Sequence, residues 1–327
     1  MRKKRWVPWV LVGPALVVVF ATTVYPLLAA LYYSFHKYDL RKIPQFAVQL
    51  ASQPGDPLIS IDWSLLSLRN YTLAFSDSRF INSLNVTFWF TLFSVALSVI
   101  IGLFIAVVVQ KNGRLQSLTK VLLIFPFAVS PALKGYSWRY MLNDQYGIYD
   151  LLAVELVIKP INVIIELLNN LPLIDITPIN ETVVWLADQF WALFMLAMSE
   201  TWGWAPLIAL MFVGALGSID EQIFEAARID GANRLQIFWR VTLPLLRPVI
   251  LIVTMLKTIF SLKMFDQVVT MTGGGPVRAT QTINYYIHQV GFVRNLDIGY
   301  ASALSYILVV ILTVFAALYV SKVLNRD

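Results

Sequence analysis

Residues 218–248 read SIDEQIFEAARIDGANRLQIFWRVTLPLLRP, a polar and basic stretch set between two long apolar runs. Ser218 followed by Glu221 has the spacing of a capping box, which predicts a helix start. Gly231 then ends that helix, because glycine takes the left-handed conformation without a Cβ penalty. Asn233 is placed to cap a second short helix, and Pro244, which lacks a backbone donor, is expected to end it. The product is helix, glycine turn, helix, carrying Arg228, Arg234, Arg240 and Arg247. Its centre, Glu225-Ala226-Ala227, is a low-relief patch on which another protein can sit closely. The plainer alternative is an amphipathic helix lying on lipid headgroups.

Working outward, composition sets the class of protein. Hydrophobic residues make up 58% of the 327 and charged residues 13%, with a mean hydropathy of +0.70. Soluble domains carry about 25% charged residues, so this is an integral membrane protein. It has no cysteine, which excludes disulfides and thiolate metal sites. Its two histidines, His36 and His288, lie far apart and make no metal-binding pattern, so no metal site is expected. Basic residues at membrane ends explain the net charge of +6 without a nucleic-acid partner.

A span needs roughly 20 apolar residues, and that rule divides the chain. A basic N-terminus (Arg2, Lys3, Lys4, Arg5) precedes a first span at about 9–33. The run is too long for a signal peptide and ends in the aromatic belt Tyr25, Tyr32 and Tyr33. A polar loop at 34–83, interrupted by Pro44, Pro54 and Pro57, leads into the core of 84–327. There the second span is expected at about 86–109, and the third at about 118–140 with Pro126 and Pro131 inside it. Carbonyls freed by those prolines must be satisfied by neighbours or water, so the third span should border a cavity or a partner. Residues 141–189 are read as an external insertion of two short amphipathic helices. Asp150, Glu155, Lys159 and Glu166 interrupt that insertion and Pro160 breaks it. The fourth, fifth and sixth spans are expected at about 190–216, 249–271 and 300–323, with the cytoplasmic loop 217–248 between the fourth and fifth. Inside segments then hold Arg2, Lys3, Lys4, Arg5, Lys111, Arg114, Lys120, Arg228, Arg234, Arg240, Arg247, Lys322 and Arg326. This bias predicts an all-α, six-span protein with both termini in the cytoplasm.

The offsets within the opening stretch carry a resemblance. Glu225-Ala226-Ala227, Gly231 and Val241-Thr242-Leu243-Pro244 resemble the EAA loop of binding-protein-dependent ABC importer permeases, with Val241 where the family usually has isoleucine. The resemblance implies that this loop is the coupling helix seated on an ATPase subunit. Glu225, Ala226, Ala227, Arg228, Asp230, Gly231, Leu243 and Pro244 would then be its contact residues. A second block, Phe265-Asp266, Thr272, Gly273-Gly274-Gly275-Pro276 and Ala279-Thr280, resembles the signature of the carbohydrate-uptake branch, relatives of the maltose and glycerol-phosphate systems. Asn70-Tyr71, Phe80 to Thr87 and Gly299 to Ala303 resemble that branch as well, whereas the loops at 40–66 and 155–180 depart from it. Physically, the glycine run is a turn that lets backbone approach backbone.

That triplet is no phosphate cradle, and no P-loop pattern occurs anywhere in the chain, nor any convincing catalytic constellation. This chain is therefore expected to hold no cofactor, with ATP and Mg on partner ATPase subunits. The expected partners are a second, similar permease chain, two ATPase subunits, an extracellular solute-binding protein, the solute and membrane lipid. The expected place is the inner or plasma membrane of a prokaryote, with several spans. Polar and aromatic residues in spans mark a pathway, since the membrane makes them costly elsewhere. The candidates are Trp138, Tyr140, Asn143, Glu200, Trp202, Trp204, Lys257, Lys263 and Asp266. Lys263 and Asp266 are spaced to pair on one helix face, with Glu200 approaching them from the preceding span. The alternatives are interfacial tryptophan anchors and a snorkelling Lys257. An importer for another solute class, an ion-coupled secondary transporter and a membrane scaffold are the other functions weighed.

Overall fold

The computed structural model describes residues 7–42, 46, 48–50, 59–110, 114–171, 176–179 and 184–324. Arg2, Lys3, Lys4, Arg5, Pro44, Pro54, Pro57, Lys111 and Arg326 lie outside them. The described chain is helical apart from a small antiparallel pair, β1 (Val48–Leu50) and β2 (Ile59–Ile61), within the 34–83 loop. Among the described residues five helices are long and apolar enough to cross a membrane, or six if one bent pair is a single span. Their outer faces carry bare apolar side chains such as Val17, Ile100 and Phe104, each about two-thirds exposed. Soluble monomers rarely leave such continuous apolar surface uncovered, whereas lipid covers it readily.

The described residues fall into two compact units. The first comprises residues up to Ile81 together with Tyr286–Thr313. In it α1 (Val7–Val19) passes through a π turn, Phe20–Val24, into α2 (Tyr25–Ser34), and α3 (Arg69–Ser76) follows. The Asn70 side-chain amide donates to the carbonyls of Ser34 and His36, both at 2.9 Å, tying α3 to the end of α2. Asp77 accepts from the hydroxyls of Tyr286 and Tyr300, the latter at 2.9 Å. Burial pushes its carboxyl up, but those hydroxyls and the Arg79 and Phe80 amides outweigh it and hold it below the ordinary value. The Asn70 and Tyr300 motifs therefore act in packing.

The second unit comprises Asn82–Tyr285 with Val314 onward. It contains nearly all of α4 (Ser78–Val109), then α5 (Arg114–Leu122), α6 (Phe125–Ala128), α7 (Pro131–Met141), α8 (Ile148–Ala153), α9 (Lys159–Asn169) and α10 (Gln189–Leu216). It continues through α11 (Glu221–Ile229), α12 (Arg234–Ile237) and α13 (Leu243–Leu262). Two helices, α14 (Ile283–His288) and α15 (Ile298–Leu324), complete the chain. The second unit's core has two apolar clusters. One gathers Phe90, Trp138, Leu196, Met264 and Val268, the other Ala106, Ile208, Phe212, Leu216 and Val253. Along α4, α10 and α13 a buried polar stretch separates them, with Ser94 and Ser98, Ser199 to Thr201, and Lys257 and Ser261.

Several boundaries differ from the sequence reading, each for a physical reason. The third span is no single helix, because α5–α6 and α7 meet at 94° around Pro126 and Pro131. The fifth helical run begins at Arg234 and stops at Leu262, so Lys263 and Asp266 lie beyond it. Pro244 does not end a helix, and Pro160 does not break one. In both places a π turn precedes the proline. Phe238–Thr242 leads into Leu243-Pro244, and Val154–Ile158 into Lys159-Pro160. Phe20–Val24 does the same before Tyr25-Pro26. In each the N–H before the proline donates five residues back, so the widened turn takes up the ring and the missing donor. Residues 148–169 are thus one continuous helical run, where two short helices were expected.

Candidate functional site

Two places in the second unit carry functional geometry. The first is the loop after α10. Helix α11 buries none of its residues. Its start differs from the expected capping box, because Asp220 is the cap and accepts from the Gln222 N–H at 3.0 Å. Ser218 turns back instead and donates to the Ala215 carbonyl at 2.7 Å. At its end Gly231 has φ +79°, Gly231 N–H donates to the Arg228 carbonyl and Ala232 N–H to that of Ala227. Those two bonds satisfy carbonyls a helix end leaves open. Asn233 and Gln236 then form a reciprocal capping box on α12, both bonds at 2.8 Å.

Glu225, Ala226, Arg228, Asp230, Gly231 and Pro244 are exposed, and Ala227 and Leu243 are half-buried. Beside them stand bare apolar side chains, with Ile229 86% exposed, Leu235 68% and Trp239 59%. Behind the helices lies a cavity of about 800 Å³ lined in part by Gln110, Lys120, Phe224, Arg228, Arg234 and Thr242. A rigidly capped helix with naked apolar residues beside a low-relief centre is suited to protein docking.

The second place is the polar stretch between the two apolar clusters. Glu200 on α10 accepts from the Lys257 ammonium of α13 at 3.0 Å. Its other carboxylate oxygen stands 3.5 Å from the ammonium of Lys134 on α7. All three side chains are at most 5% exposed. Lys257 also sits 5.1 Å over the ring of Trp204, which packs on Phe260. Next along, Ser199 is 3.2 Å from the Gln267 amide and Ser98 3.4 Å from Thr201. Gly203, one turn beyond Glu200, leaves the space the Lys134 ammonium occupies, since a Cβ there would collide with it.

The other pathway candidates separate. Trp138 is in the apolar core and packs beside the tilted ring of Tyr149, and with Trp202 it lines a cavity of about 320 Å³. Tyr140 is 61% exposed beside Tyr146, and Asn143 accepts from the Gln145 and Tyr146 amides to close a turn. Lys263 and Asp266 are both exposed, and no ion pair joins them among the described residues. Glu200 approaches Lys257 and Lys134, and not that pair. Gly273 and Gly274 have φ of +59° and +81°, and a Cβ on Gly274 would lie 2.6 Å from the Tyr285 ring. Thr280 donates to the Gly275 carbonyl at 2.6 Å, so the turn through Pro276 is a packed clasp. Sequence reasoning missed Lys134, although the rule that singles out Lys257 in a span applies to it equally.

The span-length helices, the exposed capped loop and the buried charge centre define a multi-pass helical membrane protein. Residues 98–327 match the family of binding-protein-dependent transport system inner membrane components, and the chain belongs to that family. It is thus a multi-pass permease component of the inner membrane. Over 95% of this chain and 91% of the relative, it is 28% identical to the trehalose/maltose transport system permease protein of Thermococcus litoralis. It is 29% identical to the sn-glycerol-3-phosphate transport system permease protein of Brucella suis, over 96% and 94% of the two chains. The sulfoquinovosyl glycerol transport system permease protein of Agrobacterium fabrum is 28% identical over 99% and 95%. A solved bacterial ABC transporter involved in import of the acidic polysaccharide alginate contains a chain of the same fold. The TM-score is 0.72 at 16% identity, over 98% of this chain and 96% of that one.

Proposed function

We propose that this chain is one half of the membrane core of an ATP-driven importer for a carbohydrate or related polyol. Glu225-Ala226-Ala227 on the exposed, doubly capped loop is the observation that carries the reading. That loop is the coupling helix, seated on an ATPase subunit. A second, similar permease chain, two ATPase subunits holding ATP and Mg, and an extracellular solute-binding protein complete the machine. ATP-driven closure of the ATPases moves the loop and turns the solute cavity from inward-facing to outward-facing. The relatives' solutes, trehalose or maltose, glycerol-3-phosphate and sulfoquinovosyl glycerol, are all rich in hydroxyls, which supports a carbohydrate.

The test is uptake by proteoliposomes holding the full complex with ATP inside and binding protein outside. Sugars should accumulate only with ATP, and no accumulation of any sugar or polyol would refute the reading. On this reading both termini and the loop at Asn233 lie in the cytoplasm and residues 141–189 outside. Cysteines introduced at Asn170 and Asn233, against a background free of cysteine, test this with an impermeant thiol reagent on intact cells. The first should label and the second should not, and the reverse pattern contradicts the orientation.

A further inference from the structure

The buried centre holds two lysines against one glutamate. Among the described residues, Lys257 alone makes a hydrogen bond to the Glu200 carboxylate. Lys134 stays at 3.5 Å from the second oxygen, without a hydrogen bond from its ammonium group among the described residues. It is nevertheless 5% exposed. Two buried ammonium groups thus share one carboxylate, and a membrane interior penalises the positive charge left over unless it faces protein or water. Lys134 also lines the cavity of about 320 Å³, whose walls include Ser137, Trp138, Tyr149 and Trp202. That volume lies at the small end of ligand pockets and suits one sugar ring. The aromatic walls offer faces for C–H surfaces, and among the described residues of the lining Lys134 supplies a cation.

We propose that this cavity is a subsite for the anionic substituent of the solute, and that Lys134 is the specificity-determining residue. The solute is then an acidic sugar, carrying a carboxylate, phosphate or sulfonate. Glu200 and Lys257 form the fixed pair that holds the centre, and Lys134 is the exchangeable cation. When an anion arrives it supplies the missing negative charge, and the strong donor finds a charge-assisted partner. Gly203 belongs to the device, because only a residue without Cβ leaves the ammonium its place. The inference rests on the carbohydrate reading above.

The experiment uses the detergent-solubilised complex of permeases and ATPases without binding protein, which would otherwise impose its own selectivity. Equilibrium dialysis measures labelled glucuronate, glucose 6-phosphate, glucose and maltose on the native complex and on Lys134→Met, Lys134→Arg and Gly203→Ala. Native complex should bind the acidic sugars at least about tenfold more tightly than the neutral ones, the span of one hydrogen bond to a charged group. Lys134→Met should erase that preference, so that acidic and neutral sugars bind alike, and Lys134→Arg should keep most of it. Gly203→Ala should weaken it by displacing the ammonium. Lys134→Met leaves the Glu200–Lys257 pair balanced, so the complex should assemble. Equal binding of both classes, or a preference that survives Lys134→Met, overturns the proposal and leaves the carbohydrate reading intact. If Lys134→Met instead lowers pairing with the second permease chain without changing preference, a carboxylate of that chain is the counter-ion, and the proposal also falls. Binding of neither class overturns the proposal, while the carbohydrate reading is decided by the uptake measurement above.

Discussion

The exposed loop and the buried charge centre hold polar groups under opposite conditions. In the loop, Asp220, Asn233, Gln236 and the arginines stand in water, and each hydrogen bond that shapes the backbone spans only a few residues. In the centre, Glu200 reaches Lys257 across 57 positions and Lys134 across 66. A surface charge contributes about 0–1 kcal/mol when paired. A buried one that loses its partner is far costlier. The loop's shape is thus a matter of backbone geometry, while the centre's integrity depends on charge balance.

Substitutions can break that contrast. The largest effect is expected at Glu200→Gln, which leaves Lys134 and Lys257 facing each other without a carboxylate. Loss of one partner from a buried pair costs roughly 3–5 kcal/mol, so thermal unfolding of the purified complex should shift strongly downward. An unchanged midpoint would mean that the centre is hydrated and not a buried pair. Next comes Asn233→Ala, which removes one half of the capping box on α12. It should cost about 1 kcal/mol and weaken ATPase co-purification without altering membrane insertion. The smallest effect is expected at Asp266→Ala. That residue is exposed and unpaired among the described residues, and surface substitutions usually change stability by less than about 0.5 kcal/mol. Complex yield and uptake should both stay near native. A large loss of uptake at unchanged yield would return Asp266 to the pathway.

The same contrast explains what could be read from the sequence. Gly231 and Asn233 announce their conformations through their own chemistry, so the turn and second cap of the loop are legible in a window of a few residues. Ser218 misleads because Asp220, two residues on, is the better-placed acceptor. Pro160 and Pro244 mislead because a π turn hides their cost, and no residue type marks such a turn beforehand. Glu200 and Lys257 can be flagged singly as intramembrane charges, but their pairing is a tertiary fact. Lys134 follows a sharp bend at Pro131, and the bend decides which helix it faces. Ser130 and Pro131 mark the start of α7 locally, but which side chain Lys134 meets across the fold is a tertiary fact.

The most direct measurement is made on Gly231→Val. Nothing lies within 4 Å of a Cβ there, so the substitution acts through the backbone alone. A β-branched residue held at φ +79° costs about 1–2 kcal/mol or more, enough to unseat the turn while α10 and α13 stay in the membrane. ATPase co-purification and ATP-driven uptake are scored on the same preparation. The variant is predicted to insert at native level and to lose both. Normal co-purification with normal uptake would contradict the assignment of this loop as the element that couples the permease to its ATPase.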